Sequence, residues 1–184
     1  SDTLDGGTGS DVFNVADDHN QNIVIGGEDV DNGDIDTLNL TNATATAGVN
    51  VTYTGAEAGT ATFGTTGATA TFSQIERVVT TANADTVNAS AATTGINVDT
   101  GAGNDSIIGG SGNDTITAGT GADRVEGGAG NDTISLGNDG AADVLVLRDG
   151  SGRDTITAMD TVVANPDGTY TSIDKLDATN LHDA

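Results

Sequence analysis

The sequence predicts an all-β solenoid built from nine-residue repeats. Residues 100–135 read TGAGNDSII, GGSGNDTIT, AGTGADRVE and GGAGNDTIS, which are four consecutive units in one register. Each unit has Gly at its second and fourth positions, Asp at its sixth and an aliphatic residue at its eighth. A further full match, GGTGSDVFN, stands at residues 6–14. A fixed period of this kind is typical of repeat architectures, in which each unit buries its apolar face against its neighbours.

Each repeat unit divides into a turn and a strand. Because glycine has no Cβ, it can adopt the left-handed backbone conformations of tight turns, so the first six residues are expected to form a turn. The last three residues should form a short strand whose middle side chain points inward. Two units would then make one coil with a turn on each side. The predicted inward residues are Ile107, Ile116, Val125 and Ile134.

These units resemble the repeats of the RTX family, whose consensus is G-G-x-G-x-D-x-U-x and whose repeats bind calcium. The resemblance implies a parallel β-roll, a form of β-helix or solenoid, in which several Ca²⁺ ions lie between turns stacked on the same side. It pairs aspartates on successive coils. The pairs are Asp105 with Asp123 and Asp114 with Asp132, eighteen residues apart.

The resemblance also implies which residues bind the ions. Aspartate carboxylates would share each ion with peptide carbonyls of the glycine-rich turns, which together supply the roughly six to eight oxygen ligands that Ca²⁺ takes. An aspartate that only caps its own turn is the simpler alternative, but it does not explain stacked carboxylates. The predicted metal-binding residues are Gly6, Thr8, Gly9, Asp11, Gly101, Gly103, Asp105, Gly109, Ser111, Gly112, Asp114, Thr120, Gly121, Asp123, Gly127, Ala129, Gly130, Asp132, Asp143, Gly152 and Asp154.

The composition limits both the core and the partners. Only 35% of the 184 residues are hydrophobic and 3% are aromatic, so the core must be thin. Twenty-eight acidic residues against five basic ones give a formal charge of −23, which opposes folding unless cations neutralise it. The chain offers no basic patch for nucleic acid or anionic membrane, and no apolar run long enough to cross a bilayer. Without cysteine, neither disulfides nor thiolate metal sites can form.

Residues 1–40 are predicted to form an N-terminal β-roll coil and a degenerate acidic turn. Residues 26–36 keep Gly26, Gly27, Asp31 and Asp36 of the repeat pattern but break its spacing. Metal binding by Asp31 and Asp36 therefore competes with a solvated acidic loop. An EF-hand is excluded, because neither Asp29 nor Asp31 as its first residue places Gly sixth and Glu twelfth.

Residues 41–99 are predicted to be a strand-rich spacer that continues the solenoid. Thr, Ala and Val dominate this Thr/Ala-rich insertion, and the alternation in VNVTYT and ATATFSQI predicts strands without metal turns. Phe72, Ile75 and Val78 are expected to be buried. The motif ADTVN, at residues 84–88, restores the strand half of a unit.

Beyond Ser135 the spacing of the repeats stretches to eleven residues. Asp143 would face Asp123, and Asp154 would face Asp132, if the extra residues bulge outward at Asn138–Gly140 and near Arg148. We therefore assign residues 100–157 to the RTX β-roll. Residues 158–184, with a turn at 165–168 and the segment SIDKLDATNL, resemble the C-terminal caps that shield the open end of such arrays.

Catalytic motifs are absent from the sequence. It contains no G-x-S-x-G, no P-loop and no H-E-x-x-H, and no paired carboxylate constellation outside the repeats. We therefore predict that the chain is not an enzyme. His19 and His182 lie in polar stretches and are expected to be exposed to solvent.

The leading functional hypothesis is a noncatalytic, calcium-binding RTX β-roll of a secreted bacterial protein. The resemblance implies export by type I secretion, an extracellular or cell-surface location, and folding on Ca²⁺ outside the cell, because acidic turns oppose folding until a cation bridges them. One alternative is an adhesive or S-layer-like module that contacts a surface partner through residues 41–98. Another is the accessory module of an RTX protease, lipase or alginate epimerase whose catalytic domain lies outside these residues. Surface molecules or the secretion apparatus are the protein partners that these hypotheses imply.

Overall fold

The fold consists of short strands and turns. The computed structural model describes residues 1–17, 21–27, 34–43, 46–148, 150, 152–160, 163–164, 170–171 and 175–180, and no helix occurs among them. The strands are β1 Thr3–Asp5, β2 Val12–Asn14, β3 Gln21–Ile25, β4 Thr37–Asn39, β5 Val49–Gly55, β6 Ala58–Phe63, β7 Thr69–Ser73, β8 Arg77–Val79, β9 Thr86–Asn88, β10 Asn97–Asp99, β11 Ser106–Ile108, β12 Thr115–Thr117, β13 Arg124–Glu126, β14 Thr133–Ser135, β15 Val144–Arg148, β16 Thr155–Thr157, β17 Val163–Ala164, β18 Tyr170–Thr171 and β19 Lys175–Asn180.

Most strands belong to two main sheets, and over much of the chain successive strands alternate between them. The larger sheet has ten strands in the order β1-β3-β7-β6-β5-β9-β11-β13-β15-β19. The smaller sheet has seven strands in the order β16-β14-β12-β10-β8-β4-β2. From β8 to β16 every strand lies in the opposite sheet from the one before it, so two strands and two turns make one coil. The predicted all-β parallel roll is therefore confirmed.

The apolar column of the repeats forms the core. Ile107 pairs with Val125 in the larger sheet, and Ile116 pairs with Ile134 in the smaller sheet. All four side chains are at most 1% exposed. The neighbours of each inward residue point outward, because side chains alternate along a strand. The inward positions predicted from the nine-residue period are confirmed.

Residues 49–73 interrupt the parallel pattern with an antiparallel meander. Strand β6 pairs antiparallel with both β5 and β7, while β7 joins β3 and β5 joins β9 in parallel. The aromatic residues of the core are concentrated here. Tyr53 packs edge-on against Phe72, with ring centroids 5.4 Å apart. Phe72, Ile75 and Val78 are at most 2% exposed, as expected.

The C-terminal region contributes one strand to the larger sheet. Strand β19 pairs parallel with β15, and β17 pairs antiparallel with β18. The turn expected at 165–168, both histidines and Asp31 lie outside the described residues. In the part of the chain that the structure describes, no helix has the length and apolar character needed to cross a membrane.

Replacing Ile134 with Ala should destabilise the fold strongly. Ile134 is fully buried between successive coils, so its truncation leaves a cavity that costs about 2–4 kcal/mol. Urea unfolding in millimolar calcium measures this loss. The matched control is Thr133→Ala, one residue away on the exposed face of β14, which should change stability by less than about 0.5 kcal/mol. Equal stabilities of the two variants would contradict the assigned core.

Candidate metal centre

Two columns of acidic residues line the turns of the roll. We call the turns that lead into the larger sheet the first turn column and those that lead into the smaller sheet the second turn column. In each column the acidic residue comes directly before a strand, so that strand pairing stacks it on its equivalents. The first column contains Asp85, Asp105, Asp123 and Asp143, and the second contains Asp11, Asp36, Glu76, Asp114, Asp132 and Asp154.

One oxygen of each repeat carboxylate sets the register between coils. The backbone N–H of one aspartate donates to Oδ1 of the aspartate on the next coil along the chain. These donor and acceptor pairs are Asp105 and Asp123 at 2.8 Å, Asp114 and Asp132 at 2.9 Å, Asp123 and Asp143 at 2.8 Å, and Asp132 and Asp154 at 3.1 Å. The structure thus brings together the two pairs that the resemblance implied and the two pairs that were expected across the longer coils.

The other carboxylate oxygen is buried without a partner in several turns. This holds for Oδ2 of Asp11, Asp105, Asp123 and Asp132. A buried, charged oxygen that lacks a hydrogen bond carries a large desolvation cost. These four atoms are therefore the strongest indication that the turns bind a group absent from the protein itself.

The surroundings of the carboxylates favour their neutral forms. The pKa of Asp105 is raised to about 7, mainly by burial and also by the neighbouring Asp85 and Asp123 carboxylates, whereas the hydrogen bond from the Asp85 N–H and the Thr100 side chain act to lower it. Burial likewise raises the pKa of Asp132 to about 6. The pKa values of Asp114 and Asp123 are also raised, mainly by burial. In each column, the negative charge of the buried carboxylates must therefore be neutralised either by protons or by cations.

Carbonyl oxygens face the same gaps between turns. A Cβ on Gly6 would lie 2.4 Å from Oδ2 of Asp11 and 2.6 Å from the carbonyl oxygen of Gly26, which belongs to the next turn. A Cβ on Gly121 would lie only 1.7 Å from the carbonyl oxygen of Gly103. Glycine therefore permits a spacing at which carboxylate and carbonyl oxygens of adjacent turns share one gap.

This donor set fits calcium. Ca²⁺ binds carboxylate and carbonyl oxygens in flexible geometry, and it does not need a cluster of charged side chains. Among the residues that the structure describes, no three His, Cys, Asp or Glu side chains converge to form such a cluster. A cation in these gaps would thus be held by the aspartates together with the turn carbonyls.

The predicted metal-binding residues are all described, and they lie in the two turn columns or beside them. Their individual assignment as ligands remains a prediction.

Sequence reasoning gave too little weight to three column residues. Asp36 is fully buried, and its Oδ1 accepts a hydrogen bond from the Asp11 N–H at 2.8 Å. Glu76 Oε2 accepts from the Asp36 N–H at 2.6 Å, and Asp85 accepts from the Val49 N–H at 2.7 Å. The signal that could have found them is an acidic residue two positions before an inward aliphatic one, without the preceding glycines. At Ile96 the column loses its acid, although the Ile96 N–H still donates to Asp114.

The asparagines at the fifth position of the repeat make a second set of links. Oδ1 of Asn104 accepts from the Ala122 N–H at 2.9 Å, and Oδ1 of Asn113 accepts from the Asn131 N–H at 2.8 Å. These bonds run in the opposite direction from the aspartate bonds, so neighbouring turns are joined both ways. Asn138–Gly140 are exposed, as expected for extra residues that lie on the outside of the coil.

Comparison with known proteins agrees with this geometry. The RTX calcium-binding nonapeptide repeat family matches residues 1–21 and 99–134, in four copies. The matched residues include the turn of Asp11 and the four regular units. No curated protein matches the chain.

In the absence of divalent cations, the folded repeats should gain stability as the pH falls. The pKa values of Asp105 and Asp132 are about 7 and about 6 in the fold, above the unfolded value near 3.8, so the fold favours the protonated acids. That stability is complete below the unfolded pKa and is lost as the pH rises through the folded values. In EDTA, the circular dichroism signal of β structure should therefore be stronger at pH 5 than at pH 8.

Asp105→Asn provides the control for this pH dependence. Asparagine copies the neutral carboxylic acid, so the variant should lose less β structure than the wild type between pH 5 and pH 8. Both pH values lie above the sequence pI of about 4.1, which avoids precipitation of the uncharged chain. Stability in EDTA that rises with pH would contradict the burial of these carboxylates.

Proposed function

Because this chain carries the calcium-binding nonapeptide repeats of the RTX family, we propose that it is a noncatalytic β-roll module of a secreted bacterial protein that folds on Ca²⁺ outside the cell. One observation supports this proposal above all others. Four buried carboxylate oxygens in stacked turns have no hydrogen-bond partner within the protein. A divalent cation in the gaps between turns would satisfy them.

The proposed ligands are the unpartnered carboxylates and the carbonyls beside them. Asp105 and Asp123 would hold ions in the first turn column, and Asp11 and Asp132 would hold ions in the second. Bound calcium supplies the positive charge that offsets stacked carboxylates and links one turn to the next. The residues of the chain fix the oxygens in place through the hydrogen bonds between coils.

Folding and cation binding are coupled in this proposal by charge. The formal charge of −23 makes the compact metal-free state costly, and several bound ions would remove much of that charge. Sites with dissociation constants of about 10⁻⁴ M, typical of extracellular modules, would each add roughly 1.8 kcal/mol in about 2 mM Ca²⁺. Four such sites would contribute about 7 kcal/mol, comparable with the stability of an ordinary domain.

The proposed location follows from the same affinities. Turns with few charged ligands bind calcium weakly, so they would fill in an extracellular medium and stay empty where calcium is scarce. A segment that stays unfolded inside the cell suits type I secretion, the export route that we propose. Secretion is also general among proteins with RTX repeats.

An adhesive surface module is the second candidate function. The outward face of the meander carries exposed polar side chains, among them Asn50, Thr52 and Thr54 on β5. These residues bear no charge in an otherwise strongly acidic chain, so they could contact a surface partner without electrostatic repulsion. The role of accessory module to an enzyme depends on residues outside this sequence.

Asp123→Asn should weaken calcium-dependent folding. Asp123 links its coil to both neighbours and carries one of the unpartnered oxygens. Loss of its charge should raise the calcium midpoint of folding and lower stability in 2 mM Ca²⁺ by roughly 2 kcal/mol. Calcium titration followed by circular dichroism measures the midpoint, and urea unfolding measures the stability.

Asp99→Asn is the matched control for Asp123→Asn. Asp99 carries the same charge but pairs with Arg77 on the half-exposed sheet surface, outside the turn columns. Surface pairs contribute little, so the calcium midpoint should stay near the wild-type value. Similar shifts in the two variants would mean that only net charge matters, which would remove the support for specific sites.

Magnesium should not replace calcium. Mg²⁺ demands near-ideal octahedral geometry and gives up its water reluctantly, whereas turns rich in carbonyl oxygens suit a larger ion. At equal millimolar concentrations, calcium should induce the β spectrum and magnesium should leave it close to that in EDTA. Equal folding in both ions would show that unspecific charge screening is sufficient.

A further inference from the structure

Six of the repeat turns fall into two backbone states. In what we call an open turn, the second residue is a glycine with positive φ, and Oδ2 of the aspartate has no partner. In a closed turn, the N–H of the second residue donates to that Oδ2. The open turns pair Gly7 (φ 88°) with Asp11, Gly101 (φ 87°) with Asp105, Gly119 (φ 103°) with Asp123, and Gly128 (φ 106°) with Asp132. The closed turns pair Thr81 with Asp85 and Gly110 with Asp114, both at 2.8 Å.

The turn at residues 80–85 is closed entirely by its own protein groups. Asp85 Oδ2 accepts from the Thr81 N–H and from the Thr80 hydroxyl, at 2.8 and 2.6 Å. Asp85 Oδ1 accepts from the Val49 N–H at 2.7 Å and from the Thr81 hydroxyl at 2.9 Å. Both oxygens of this buried carboxylate are therefore satisfied without a cation.

The gap above this turn otherwise has the oxygens of a cation site. A Cβ added to Gly101 would lie 2.7 Å from the Thr81 carbonyl oxygen, and one added to Gly103 would lie 2.4 Å from the Asn83 carbonyl oxygen. On the next coil, the carbonyls of Gly101 and Gly103 approach Gly119 and Gly121 in the same way. What distinguishes the gap between turns 80–85 and 100–105 is thus the missing free carboxylate oxygen.

The first residue of the turn does not cause the difference between the closed turn 80–85 and the open turn 100–105. Thr100 occupies the same place as Thr80, yet its turn is open and its hydroxyl donates to the Ala118 carbonyl at 2.7 Å. The Thr80 hydroxyl oxygen also lies 3.1 Å from the equivalent carbonyl oxygen, that of Thr100. A threonine at the first position is therefore compatible with an open turn.

The second residue of the turn causes the difference between the open and the closed state. Threonine is β-branched and rarely adopts positive φ, so Thr81 holds its N–H on the Asp85 carboxylate. Gly110 makes the equivalent bond, but glycine can move to the left-handed conformation at little cost and release Asp114. The two closed turns thus differ in whether they can open.

We propose that the second turn residue determines which turns take a cation, and that Thr81 keeps the gap between turns 80–85 and 100–105 free of calcium. Gly110 lets the turn at 109–114 open and bind. In the first turn column the array of ions therefore begins at the turn 100–105. This assignment rests on the proposed calcium-binding function, and it names the residue that sets the limit of that function within the chain.

Calcium stoichiometry tests the assignment. Equilibrium dialysis against Ca²⁺, with metal analysis of the folded protein, gives the number of ions bound per chain. Thr81→Gly should bind one more ion than the wild type, because the turn can then open and free Asp85. Thr81→Ala should bind the wild-type number, because alanine removes the hydroxyl but still disfavours positive φ. Thr93→Gly, in an exposed turn position of the other column, is the matched control and should also bind the wild-type number.

A loss-of-charge variant gives an independent reading if Thr81→Gly fails to fold. Asp85→Asn should bind as many ions as the wild type, whereas Asp105→Asn should bind fewer; circular dichroism in calcium checks that each variant is folded. An ion lost on Asp85→Asn, or none gained on a folded Thr81→Gly, would overturn the assignment of Thr81. A wild-type chain that binds no calcium would instead overturn the proposed function.

Discussion

Buried carboxylates of like charge, stacked coil upon coil, are the constraint on which the rest of this structure depends. Most aspartates of the columns are buried, and strand pairing stacks each of them on its equivalents in the neighbouring coils. Such an arrangement is unfavourable for a bare polypeptide. The raised pKa values of Asp105 and Asp132 are direct expressions of that cost.

The two oxygens of each repeat carboxylate have different roles, one in the architecture of the roll and one in binding. Oδ1 accepts a backbone hydrogen bond from the previous coil, which sets the register of the roll. In the open turns Oδ2 is left for a ligand, and the adjacent glycines keep the gap open where any larger residue would fill it. The same side chain thus builds the solenoid and creates its demand for a cation. This is the physical basis for our proposal that folding and cation binding are coupled in the repeats.

Apolar packing and charge compensation predominate in different parts of the chain. Each regular repeat buries mainly one aliphatic side chain per strand, so residues 100–135 have a thin core. Around the meander, by contrast, Phe63, Phe72 and Tyr53 are buried together with Leu38 and Ile75. The closed turn at Asp85 lies where these two regions meet, and it satisfies its carboxylate with threonine donors. The transition from apolar core to acidic turns is thus also the point at which, in our proposal, cation sites begin in the first turn column.

The sequence by itself determined the repeating part of the protein. A nine-residue period fixes which residues point inward, and it fixes the stacking of Asp105 on Asp123, because each unit repeats the same local geometry. Tertiary structure alone decided the rest. The alternation in residues 49–73 indicated strands, but pairing partners decide that they form an antiparallel meander. Asp36, Glu76 and Asp85 join the columns through strand register, which irregular spacing had hidden. Gly101 and Gly110 occupy the same repeat position, yet only Gly101 has a left-handed φ. The turn at 109–114 packs on residues 89–96, which are not a repeat turn, and a backbone state depends on the neighbour it packs against.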